Sequence, residues 1–145
     1  MINPKDFLSK EETSLIEKAI KTAELNTSGE IRVHIDKSCK NDVLDCATET
    51  FAKLKMHKTE LRNGVLFYLA INDRKFAILG DVGINTKVPE DFWDNIKKEI
   101  LILFKQEKFA EGLEKGILMA GEQLKKQFPH QSDDINELSD EISLG

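Results

Sequence analysis

Arg62-Asn63-Gly64-Val65-Leu66-Phe67-Tyr68-Leu69-Ala70-Ile71-Asn72-Asp73-Arg74-Lys75-Phe76-Ala77-Ile78-Leu79-Gly80-Asp81 sets the frame of the chain. Residues 64–71 form an unbroken apolar run, too short for a membrane span and rich in β-branched and aromatic side chains. Such a run is expected to be a strand buried on both faces. Residues 72–75 break it with turn chemistry, residues 76–79 form a second strand, and Gly80 ends that strand. The pair is expected to fold as a β-hairpin at the centre of a sheet, with polar residues gathered at both of its ends.

Upstream, Ser9-Lys10-Glu11-Glu12 has the spacing of a capping box, and Leu15, Ile16, Ala19, Ile20 and Ala23 follow at helical intervals. Asn26-Thr27-Ser28-Gly29 stops that helix. Residues 30–36 then alternate: Ile31, Val33 and Ile35 on one side, Arg32 and His34 on the other. This is the pattern of a half-buried strand nearer an edge, and it puts His34 on the wetter face as a surface histidine with no partner nearby. Asp42 caps a second amphipathic helix carrying Val43, Leu44, Ala47, Phe51 and Leu54. Strand, helix and strand over this length imply a right-handed crossover and parallel pairing of the strands around Val33 and Phe67.

Downstream, Gly80 and Gly83 bracket a polar loop in which glycine permits backbone geometries closed to other residues, and the loop is expected to be mobile. Glu90, Asp91 and Asp94 load the start of a helix with the apolar face Phe92, Trp93, Ile96, Ile100, Leu101, Leu103 and Phe104. Phe109, Leu113, Ile117, Ala120 and Leu124 mark a last helix. Its Gly112, Gly116 and Ala120 point to close packing on the sheet, with a dimer seam as the alternative. Phe128-Pro129 ends it. Residues 130–145 are acidic and hold no Lys or Arg, with Ile135, Leu138, Ile142 and Leu144 interleaved. This segment reads either as a solvated tail or as one that docks on a partner or on the domain itself.

The 145 residues suit one domain over residues 1–128 followed by the acidic tail, residues 129–145. A net charge of −5 argues against a nucleic-acid partner and is compatible with binding a cation or a basic partner. No basic stretch followed by an apolar one opens the chain, and no run reaches the roughly 20 apolar residues of a bilayer span. The expectation is a soluble cytoplasmic protein with no membrane span. The two cysteines, Cys39 and Cys46, fit neither a zinc spacing nor a disulfide framework and are read as reduced thiols.

Six stretches in order, Asp6-Phe7-Leu8-Ser9, Gly29-Glu30-Ile31-Arg32-Val33, Arg62-Asn63-Gly64-Val65-Leu66, Asp73-Arg74-Lys75, Gly80-Asp81-Val82-Gly83-Ile84 and Phe109-Ala110-Glu111-Gly112-Leu113, resemble the TPM domain family over residues 6–128. The resemblance implies a three-layer α/β/α sandwich: a small mixed sheet with a central β-hairpin, flanked by helices on both faces. It also implies two activities, binding of divalent cations, Ca2+ or Mg2+, and acid phosphatase chemistry on phosphomonoesters. A role as a metal-free interaction adaptor is the third reading.

Hard cations want several oxygen ligands, and two ends of the sheet offer them. Asp36, Asn72 and Asp73 lie at the carboxyl ends of the parallel strands, where open α/β sheets bind ligands. Asn63, Asp81 and Asn85 lie at the other end, which the family's motifs favour; Asn85 stands where the family often has a Glu. For phosphatase chemistry there is neither Cys-x5-Arg nor Asp-x-Asp. Arg62 or Arg74 is available to hold a phosphate, and a metal-assisted route using Asp81 or Asp73 is the only one with ingredients in view.

Overall fold

The computed structural model describes residues 2–129 and 138–145. In chain order its elements are α1 (Pro4–Phe7), α2 (Lys10–Glu24), β1 (Glu30–Asp36), α3 (Val43–Lys53), β2 (Gly64–Ala70), β3 (Lys75–Gly80), α4 (Val82–Asn85), α5 (Phe92–Lys105), α6 (Phe109–Gln127) and β4 (Ser143–Leu144). The strands form one sheet in the order β3-β2-β1-β4. β1 runs parallel to β2, with Ile31 opposite Val65 and Asp36 opposite Ala70, and β3 returns antiparallel with Ala77 opposite Tyr68. Every residue of β2 is buried, as its unbroken apolar run requires.

Alternation in the strands divides the side chains between two cores. Ile31, Val33, Ile35, Val65, Phe67 and Leu69 face α2, α5 and α6, where Ile16, Ile20, Ile96, Ile100, Leu113 and Ile117 meet them. Leu66, Tyr68, Ala70 and Ala77 face the other way, under Ala47 and Phe51 of α3 and beside Met56. The result is a three-layer α/β/α sandwich. Burying a Leu, Ile or Phe side chain contributes about 1.5–3 kcal/mol each, so these two cores carry the fold.

Local signals behave as their chemistry predicts at the helix starts. Ser9 accepts the Glu12 amide while the Glu12 carboxylate accepts the Ser9 amide, a complete capping box. Asp42 caps α3 by accepting the Leu44 amide.

Several expectations are corrected. His34 is buried rather than on the surface, because β4 pairs alongside β1 and covers that edge. The sharper reading of the tail, docking on the domain itself, therefore holds for Ser143 and Leu144, whereas Ile135 falls outside the described residues. Leu44 faces solvent at the start of α3. The loop after Gly80 is the short helix α4, whose cap is Asp81. Its glycines serve close approach rather than unusual backbone: no glycine has a positive φ, whereas Arg62 and Arg74 do, at 51° and 52°. A Cβ on Gly83 would run into the carbonyl oxygens of Leu61 and Arg62. In α6, Gly112 and Gly116 make room for Phe104 and Ile100 of α5, with Phe67 of the sheet reaching Gly116 as well. The close packing is real, but its main partner is a helix.

Cys39 and Cys46 are joined in a disulfide, contrary to the expectation of free thiols. The cap at Asp42 turns the chain so that the first exposed turn of α3 swings Cys46 back over Cys39, bringing their Cα atoms to 6.2 Å.

Candidate functional site

At the carboxyl ends of β1 and β2, alternation puts His34 and Asp36 on one face of β1, and the parallel register puts Tyr68 opposite His34. The two rings stack with centroids 5.9 Å apart. The His34 ring meets Asp36 Oδ1 through Nε2 at 2.7 Å and Ser143 Oγ through Nδ1 at 2.9 Å. Tyr68 donates its hydroxyl to Asp36 Oδ2 at 2.6 Å. Burial, then the hydrogen bond to Asp36, then the charges of Asp36, Asp73 and Glu49 hold the Tyr68 phenol well above its ordinary pKa.

Asp73, in the hairpin turn, reaches across to the loop after β1: its Oδ2 accepts the Cys39 amide at 2.6 Å and its Oδ1 lies 3.8 Å from Lys40 Nζ. Lys75 donates to the carbonyls of Cys39 and Asn41. The disulfide thus closes a loop that Asp73 and Lys75 grip from the turn. Asn72 is engaged elsewhere, exchanging hydrogen bonds with the Ile2 backbone. The Asp36 and Asp73 side chains each keep a quarter of their surface exposed.

The opposite end is closed by protein groups. Asp81 is almost fully buried, and Arg62 donates to both of its oxygens, Nε to Oδ2 at 2.7 Å and Nη2 to Oδ1 at 2.8 Å. Oδ1 also accepts the Val82 amide. The pair with Asp81 raises the Arg62 pKa further. Asn85 bridges the Gly80 carbonyl and the Trp93 indole N–H. Asn63 is buried, and its amide donates towards Ser28 on the β1 side of β2, away from Asp81. The backbones of Gly64 and Asp81 are paired as the hairpin predicts, yet the side chains of Asn63, Asp81 and Asn85 engage different partners. Beside Asp81 a cleft of about 400 Å³ opens, lined by Thr48, Phe51, Ala52, His57, Arg62, Leu79, Gly80 and Val82 as well as Asp81.

Among the described residues no three His, Cys, Asp or Glu side chains gather tightly enough to make a ready metal cage. Of the five residues singled out from sequence, Asp36 and Asp73 are brought to one end, while at the other end the side chains of Asn63, Asp81 and Asn85 are each bonded to different protein groups. Tyr68 was overlooked because it lies in a run that reads as pure core. Its register partner His34 and the alternation linking His34 to Asp36 were the available signals.

No helix among the described residues is long and apolar enough to cross a membrane. No match is found among curated proteins. The chain is similar to three structures solved by NMR. It is 50% identical to the BA42 protein of the psychrophilic bacterium Bizionia argentinensis, covering all of both chains with a TM-score of 0.91. The N-terminal domain of a P. gingivalis protein matches at 17% identity over 86% of this chain and 82% of that one, with a TM-score of 0.70. The N-terminal domain of the cg2496 protein of Corynebacterium glutamicum matches at 16% identity over 81% and 74%, with a TM-score of 0.64. The last two speak for the fold alone. A family model described as the TPM domain matches residues 1–123, and the chain belongs to the TPM domain family.

Proposed function

We propose that this TPM-domain chain is a binding module for a divalent cation, Ca2+ or Mg2+, held at the carboxyl ends of β1 and β2 with Asp36 and Asp73 as carboxylate ligands. The observation that carries the reading is that two carboxylates, Asp36 at the end of β1 and Asp73 in the hairpin turn, are brought to the same end of the sheet, each with a quarter of its side-chain surface open. An ionised carboxylate has about four lone-pair sites, and the bonds from Tyr68, His34 and the Cys39 amide leave some of these open. Two carboxylates, with Lys40 and Lys75 nearby, suit weak binding of an ion that keeps most of its waters, on the order of 10⁻⁴–10⁻³ M. At the Asp81 end the carboxylate is already neutralised by Arg62, which favours the first end.

Phosphomonoester hydrolysis is the weaker reading. The cleft beside Asp81 holds His57 and Thr48, but its guanidinium is committed to Asp81. As to location, the Cys39–Cys46 disulfide favours an oxidising compartment over the cytoplasm.

An amide chemical-shift titration with Ca2+ and with Mg2+ tests the cation reading. Saturable shifts at Asp36, Cys39 and Asp73, lost in D73N, are expected. No saturable shift, or shifts confined to Asn63, Asp81 and Asn85, would sink it.

A further inference from the structure

The cleft beside Asp81 lies at the opposite end of the sheet from Asp36 and Asp73. Its volume of about 400 Å³ falls in the range of small-molecule sites. Phe51 and Ala52 of α3, Leu79 of β3 and Val82 of α4 supply apolar wall, with Arg62 and His57 beside them. Asp81 fixes the Arg62 guanidinium in place without exhausting it. The bonds to Asp81 run from Nε and Nη2, which is one edge of the planar group. They leave the edge between Nη1 and Nη2, which presents two N–H groups in parallel, at the spacing of the two oxygens of a carboxylate. Asp81 is buried, whereas 45% of the Arg62 side chain stays exposed.

Asp81 already offsets the charge of Arg62, so an anion on that second edge needs further positive charge close by. The segment that carries His57 and Arg62 supplies it. Residues 53–62 hold Lys53, Lys55, Lys58 and Arg62 against Glu60 alone, in a chain whose net charge is −5. Met56 and Thr59 are buried and pin the segment, and the Met56 amide donates to the Phe51 carbonyl at 3.0 Å. Lys55, His57 and Lys58 are left exposed.

We infer that this cleft binds a small carboxylic acid with an apolar body. The carboxylate takes the Nη1–Nη2 edge of Arg62, and the body lies against Phe51, Ala52, Leu79 and Val82. The basic segment draws the anion in, and the apolar walls select against a bare one. The inference concerns the other end of the sheet from the cation reading and does not rest on it.

The test is an amide and methyl chemical-shift titration of the full chain with octanoate, in metal-free buffer at about pH 7, where the acid is ionised. Saturable shifts at Ala52, Arg62, Leu79 and Val82 are expected. Acetate, which lacks the body, and octan-1-ol, which lacks the charge, should each bind more weakly. R62A disturbs the buried Asp81, so the variant used is V82E. Val82 is 57% exposed, and a glutamate there sets a like charge against the ligand without touching the Arg62–Asp81 pair. Octanoate should bind V82E at least about tenfold more weakly than the wild type. Shifts that do not saturate, or that fall on the exposed Ile102 and Leu118 instead, would overturn the proposal. So would octan-1-ol binding as well as octanoate, or V82E binding unchanged. A peptide with an apolar last residue and a free terminal carboxylate, binding more tightly than octanoate, would make the occupant a chain end and overturn the assignment to a free acid.

Discussion

Arg62 grips Asp81 with two parallel hydrogen bonds of 2.7 and 2.8 Å, and the carboxylate it grips is only 4% exposed. A bidentate fork on a buried carboxylate that also caps α4 ties the start of β2 to the end of β3. Removing Arg62 leaves a buried negative charge with one backbone amide, so R62A is expected to be destabilised, with a urea midpoint clearly below the wild type's. R62K should recover little, since an ammonium cannot reproduce the fork. Urea unfolding of the three proteins decides it; an R62A midpoint equal to wild type would show the pair to be idle.

Gly83 sits in α4 where its backbone meets the carbonyls of Leu61 and Arg62, and its own amide donates to Arg62 at 2.8 Å. Those neighbours are main chain and cannot rotate aside. G83A should therefore cost about 1–3 kcal/mol despite alanine's better helix propensity. G116A, which meets the side chain of Ile100, should cost less because that side chain has other rotamers. Thermal melts of both variants test the order, and a G116A protein less stable than G83A would reverse the argument.

The sheet was legible because its signals are local and periodic. The apolar run of β2, the alternation of β1 and the turn at Asp73 leave one arrangement of three strands. The candidate site was legible only as a set of residue types. Asp81 looks like a ligand in sequence, and nothing local says that Arg62, 19 positions earlier, will take both its oxygens. His34 reads as a surface residue until a strand from 109 positions later, beginning at Ser143, covers it. The Cys39–Cys46 bond fits no familiar framework of spacings; it depends on how sharply the chain turns at the Asp42 cap. For Asp81 and His34 the missing information was a partner chosen by tertiary contact; for the cysteines it was the sharpness of a local turn.

Tyr68 is the only tyrosine, so its ionisation is readable by absorbance without interference from another phenol. Burial and Asp36 raise its pKa above the ordinary value of about 10. The folded state holds the phenolic proton more tightly than the unfolded chain. This contribution to stability is complete below about pH 10 and is lost as pH climbs above it. In metal-free buffer the native protein should show no tyrosinate band at about pH 10.5, and the band should appear together with unfolding. Y68F should lose about 1.5–3 kcal/mol, the worth of a hydrogen bond to a charged acceptor. A reversible tyrosinate signal near pH 10 in the folded protein would contradict the geometry at Asp36.

The Cys39–Cys46 bond closes a short loop whose first residue gives its amide to Asp73 and its carbonyl to Lys75. In the chain-entropy account, freeing a loop of about eight residues costs roughly 2.5 kcal/mol. C46S, or reduction of the wild type, should therefore lower the melting temperature by several degrees. The effect should spread to the amide signals of Asp73 and Lys75, because the loop they hold gains freedom in the native state as well as in the unfolded one. The native protein, prepared without reductant, should show no titratable thiol, and two should appear after reduction. Two thiols in the unreduced folded protein would remove the staple from the account and restore the simpler reading of the two cysteines as independent side chains.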